Sequence, residues 1–105
     1  MMELTVLAVP DCPNAPALEE RLAEALADRP AVPVARQVIT DAAQAARWGM
    51  HGSPTLLVNG VDPFAAPGTP PALACRMYQG ENGRLAGAPS VTALRQALEQ
   101  ACARG

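Results

Sequence analysis

The stretch Arg47-Trp48-Gly49-Met50-His51-Gly52-Ser53-Pro54-Thr55-Leu56-Leu57-Val58-Asn59-Gly60 decides how this chain folds. It leaves an alanine-rich segment that Asp41 and Gln44 open at capping-box spacing, and Gly49 is the residue type best suited to end such a helix. Thr55 to Val58 then reads as a strand, and Asn59-Gly60 as the turn that closes it. A helix and a strand are therefore joined through Gly52-Ser53-Pro54, where the proline forbids regular continuation.

Toward the N-terminus, Leu4-Thr5-Val6-Leu7-Ala8-Val9 is a nearly unbroken apolar run stopped by Pro10, the pattern of a mid-sheet strand covered on both faces. After Asp11-Cys12-Pro13 the period changes. Leu18, Leu22 and Leu26 recur every four residues, while Glu19, Glu20, Arg21, Glu24 and Asp28 take the other faces, which predicts an amphipathic helix capped by Asn14 and closed by Pro30. Val32 to Ile39, with Pro33 near its start, reads as an edge strand.

Toward the C-terminus, four prolines between Val61 and Pro71 predict a surface excursion over residues 61–72. Leu73 to Gln79 reads as a fourth strand, and Gly80-Glu81-Asn82-Gly83 as a turn. Ser90 caps a last helix whose Val91, Leu94, Leu98, Ala101 and Cys102 line one face. The alternation of strands and helices is that of an α/β fold.

The 105 residues suit one domain spanning 1–105, and 50% apolar content with a net charge of −2 is ordinary for a soluble protein. No basic patch suggests nucleic acid, and the first apolar run is too short for a signal core or a membrane span. A cytoplasmic protein without membrane or nucleic-acid partners and without a cofactor is expected. Three cysteines at irregular spacing argue for reduced thiols rather than a disulfide framework. There is no glycine-rich phosphate loop and no Gly-x-Ser-x-Gly motif, which removes the nucleotide and hydrolase readings. One histidine without paired cysteines cannot supply a four-ligand zinc site, and no metal site is expected.

Cys12 is the candidate reactive group. It stands at a strand-to-helix junction, where unpaired N–H groups and the helix dipole favour thiolate, while the adjacent Asp11 opposes that effect. The bland alternative is a packed small hydrophobe. Cys75, in a strand-like run, reads as core packing or as a second thiol that resolves Cys12 or shares a soft metal. Cys102 reads as structural. His51 is either solvated or a base or ligand, Trp48 and Tyr78 fill the core or gate a groove beside Cys12, and Glu19, Glu20 and Glu24 form a solvated face.

The order of elements and the Arg47 to Gly60 segment resemble the thioredoxin-like superfamily in its small, glutaredoxin-sized form. The resemblance implies three α/β/α layers around a mixed four-stranded sheet in the order β-α-β-α-β-β-α. It further implies a cis bond into Pro54, Cys12 in the nucleophile position, and a substrate-binding surface of Pro13, Ser53, Pro54 and Thr55, with the backbone before Pro54 open to pairing by an extended substrate. Cys12-Pro13-Asn14-Ala15 replaces the family's Cys-x-x-Cys, so the chain resembles monothiol members. These use a second thiol from a small molecule or from elsewhere in the chain, here Cys75. The expected function is thiol-disulfide exchange with protein or low-molecular-weight disulfides. Gly52-Ser53-Pro54-Thr55 together with Cys75-Arg76-Met77-Tyr78 also resembles proteins described as alkylmercury lyases, which would require Cys12 and Cys75 on mercury and Asp11 as acid. A third possibility is a redox-inactive binding module on the same fold.

Overall fold

The structure, a computed structural model, describes residues 2–29, 32–66, 68–80 and 83–103, with backbone alone at 102 and 103. Among the described residues there are three helices and seven strands. In chain order they are β1 (Leu4–Ala8), α1 (Ala15–Ala25), β2 (Val34–Val38), α2 (Ala42–Trp48), β3 (His51–Ser53), β4 (Thr55–Val58), β5 (Ala72–Cys75), β6 (Tyr78–Gln79), β7 (Leu85–Ala86) and α3 (Val91–Ala103).

The principal sheet is mixed and has the order β2-β1-β4, with β1 parallel to β2 and antiparallel to β4. As its apolar run requires, β1 lies in the middle, and its alternating side chains serve two cores. Leu4 and Val6 join Leu56 and Val58 of β4 against Leu18 and Leu22 of α1 and Leu94 and Leu98 of α3. Leu7 faces the other way, onto Leu57, Ile39, Met50 and Ala45 of α2. Helices thus cover both faces, and the leucine periods of α1 and α3 point where the sequence puts them.

Caps and ends follow local chemistry, with two departures. Asp41 is extended, at φ −150° and ψ 171°, and accepts from Gln44 N at 2.8 Å, while Gly49 ends α2 in the left-handed region at φ 80°. Gln44 Oε1 reaches back to Thr40 N at 2.8 Å, one residue before the cap. Asn14, by contrast, has helical dihedrals and makes no capping hydrogen bond, because its amide lies against Gly87 of a neighbouring segment. Helix α1 ends at Ala25, and Leu26 follows in a turn while remaining buried. Pro30, the expected closing residue, lies outside the described residues.

The expected fourth strand is divided. β5 pairs in parallel with β3, a short strand the sequence reading missed, and β6 pairs with β7 as a separate antiparallel ribbon. Among the described residues the principal sheet therefore has three strands, because β5 is paired with β3 and β6 with β7 rather than with β4. The turn after β4 has both Asn59 and Gly60 at positive φ, 53° and 81°, as an Asn-Gly hairpin turn demands. Before β5 begins at Ala72, the described part of the proline-rich excursion carries no strand beyond a single bridge at Val61. No helix among the described residues is long and apolar enough to cross a membrane.

Candidate functional site

Cys12 is delivered by a tight turn. Its N–H donates to Val9 O at 3.2 Å, with Pro10 in the first central position and Asp11 in the second at φ 58°, the backbone of a type II turn. Aspartate tolerates this left-handed geometry better than most residues. Pro13 and Pro16 bring no N–H, and the N–H of Ala15 is directed to Cys12 O at 3.4 Å, so few helix-start donors remain for the sulfur. Cys12 is 8% exposed and a free thiol, yet it is not sealed in: it lines a cavity of about 210 Å³ between α1 and the ends of β1 and β2. Burial, the bland expectation, and access therefore coexist at this residue.

The Ser53–Pro54 bond is cis, the form expected for Pro54. Ser53, Pro54 and Thr55 are all buried, and their polar atoms are committed internally. Ser53 Oγ accepts from Val9 N at 3.1 Å and so ties this loop to the end of β1, next to the turn that carries Cys12. Thr55 Oγ1 donates to Gly52 O at 2.6 Å and accepts from Arg76 Nη1 at 3.2 Å. Of the expected binding residues, these three support the site from beneath, while Pro13 is exposed outside the cavity lining.

The expectation of an open backbone before Pro54 is corrected. Ser53 O already accepts from Arg76 N at 3.0 Å, and β5 lies along β3 with Cys75 in register with Ser53. The chain's own strand covers that edge. Cys75 is exposed and free rather than packed in the core. The side chain of Cys102, read as structural, lies outside the described residues.

Arg76, Asp62, His51 and Tyr78 form a buried polar cluster that sequence reasoning did not assemble. The Asp62 side chain is 2% exposed and pairs with Arg76 Nη1 at 2.5 Å and His51 Nδ1 at 3.0 Å, and its Oδ1 accepts from Phe64 N at 2.9 Å. Burial pushes its pKa up, but the hydrogen bonds from Arg76, His51 and Phe64 and the charge of Arg76 outweigh that and hold the carboxyl below its ordinary value. Because a carboxylate only accepts, His51 Nδ1 is the donor, so His51 is a bonded residue of β3 rather than a solvated loop residue.

The Arg76 guanidinium stands 4.6 Å over the Tyr78 ring, and Phe64 meets that ring edge-on at 5.6 Å. Tyr78 Oη donates to Pro54 O at 2.5 Å. Its hydroxyl is held far above the ordinary tyrosine range, first by burial, with Arg76 lowering it and the charges of Asp62 and Cys12 raising it further. Tyr78 thus belongs to the core. Trp48, expected in the same role, is exposed at the end of α2. The signal for the cluster was Arg76: a cation in the middle of a strand-like run needs an anion once buried, and Asp62 is the acid within the excursion. No group of three or more His, Cys, Asp or Glu suited to holding a metal ion occurs among the described residues.

No protein-family model matches the chain, and neither a curated protein nor a solved structure does.

Proposed function

We propose that this chain is a thioredoxin-like thiol-disulfide oxidoreductase of monothiol type. The thiolate of Cys12 attacks one sulfur of a disulfide and forms a mixed disulfide while the other sulfur leaves as a thiolate. A second, external thiol then releases Cys12, with exposed Cys75 as the alternative source within the chain. The observation that carries this reading is the situation of Cys12: in the turn just before α1, on the wall of an open cavity, and beside the end of β1 to which Ser53 of the cis Ser53–Pro54 loop is tied. The odd number of cysteines supports a reducing, cytoplasmic setting. The test is disulfide reductase turnover by the wild type and by Cys12→Ser. Loss of turnover in the variant is expected, and equal rates would remove Cys12 from the mechanism.

A redox-inactive binding module is the second reading, favoured by the covered backbone before Pro54 and the low exposure of Cys12. It predicts that Cys12 reacts with disulfides no faster than an exposed thiol. Capture of a soft metal or organomercurial between Cys12 and Cys75 requires the two free thiols to act together. Undiminished mercury binding by Cys75→Ser in native mass spectrometry would dismiss that pair.

A further inference from the structure

Strand β2 is the sheet edge, and its α1-facing side is incompletely covered. Val34 and Val38 are 43% and 49% exposed, and between them Arg36 reaches across to Glu19 of α1, its Nη2 at 2.8 Å from Oε2. This ion pair divides the gap between α1 and β2 into two cavities of about 210 Å³ each. One contains Cys12. Its wall is built by Val6, Ala8, Val38 and Ala15, with Asp11 and the Glu19–Arg36 pair at its polar margin. The Cys12 cavity lies at the C-terminal ends of two parallel strands, where ligands of open α/β sheets commonly bind.

We infer that this groove selects the substrate of Cys12: a small aliphatic disulfide that carries no negative charge. The inference rests on the proposed reaction and adds the substrate class. Size is the first argument, because about 210 Å³ falls below the roughly 300–1,000 Å³ of pockets that enclose drug-sized ligands. Charge is the second. The margin holds two carboxylates, Asp11 and Glu19, against one guanidinium, and that guanidinium is already paired with Glu19. A carboxylate on the substrate would meet like charge without a free cation to receive it, so peptide disulfides of the glutathione kind are disfavoured and amino-bearing disulfides favoured. In the step itself the Cys12–S bond forms as the substrate S–S bond breaks, and the departing thiolate takes a proton from water.

Three near-isosteric probes test this in the wild-type chain: cystamine, bis(2-hydroxyethyl) disulfide and 3,3′-dithiodipropionate, with charges of about +2, 0 and −2 at neutral pH. After an acid quench, alkylation and cleavage at arginine, Cys12, Cys75 and Cys102 fall in separate peptides, 1–21, 48–76 and 96–104, so the rate at Cys12 is read directly. The expected cystamine-to-dithiodipropionate rate ratio at Cys12 is about tenfold larger than for N-acetylcysteine amide at low salt, and Asp11→Asn reduces it about threefold. A ratio equal to that of the free thiol, unchanged by Asp11→Asn, overturns the groove assignment while leaving Cys12 reactive. Absence of any adduct at Cys12 overturns the proposed reaction along with it.

Discussion

Replacing Asp62 with asparagine keeps the shape of a buried side chain and deletes its charge. Four contacts converge on this carboxylate, from both terminal nitrogens of Arg76, from His51 Nδ1 and from Phe64 N. The Arg76 side chain is only 10% exposed, so in Asp62→Asn the guanidinium stays largely buried with no counter-charge from Asp62. Breaking one side of a buried pair costs about 3–5 kcal/mol. For a chain of this size that lowers the thermal midpoint by roughly 15–30 °C and the urea midpoint by about 2 M. Removing both charges is milder, because apolar replacements of a buried pair are often neutral. Asp62→Asn/Arg76→Met is therefore expected to be more stable than Asp62→Asn alone.

The same residue sets an acid limb. Its folded-state value lies below 3.8, so the unfolded chain binds this proton more readily. Its contribution is complete above that unfolded value and is lost as pH falls through the lower folded value. Urea unfolding followed from pH 7 to pH 3 should show the gap between wild type and Asp62→Asn constant near neutrality and narrowing only at the acid end. A loss under about 1 kcal/mol at pH 7, or single-site effects that simply add, would refute the claim of a buried, coupled pair.

Three further outcomes follow from the same geometry. Gly52 sits at φ 119°, and a Cβ there would meet Arg76 Cβ at 2.8 Å; Gly52→Ala should cost at least about 2 kcal/mol in thermal unfolding, and wild-type stability would remove the close approach of β3 and β5. Tyr78→Phe leaves Pro54 O without its phenolic donor, and a loss of about 1–3 kcal/mol in urea is expected; no change would mean the bond is not made. Asp41→Ala removes the α2 cap and should cost about 1 kcal/mol, read from the same denaturation curves.

Much of the frame was legible because it rests on local rules. The apolar run Leu4 to Val9 had to be central, the leucine period of α1 had to face it, and Asp41, Gly49 and Asn59-Gly60 specify caps and turns through their own side chains or dihedrals. The failures are tertiary. Asn14 has the right type for a cap, but its amide is drawn to Gly87, and nothing within the helix announces that. β3 consists of His51-Gly52-Ser53, which lacks strand propensity and exists because β5 lies beside it. Cys12 and Pro54 could be singled out one by one. Their joint support through Ser53, Arg76, Asp62 and Tyr78 depends on a contact between the excursion and β3 that no periodicity encodes.

The most direct test of the central claim is a single-turnover reaction of the wild-type chain with one equivalent of bis(2-hydroxyethyl) disulfide, read by the mass of each cysteine peptide. A mixed disulfide that appears first on peptide 1–21 and disappears when a second thiol is added is the predicted result. Label confined to the peptide of exposed Cys75, with Cys12 untouched, would contradict it.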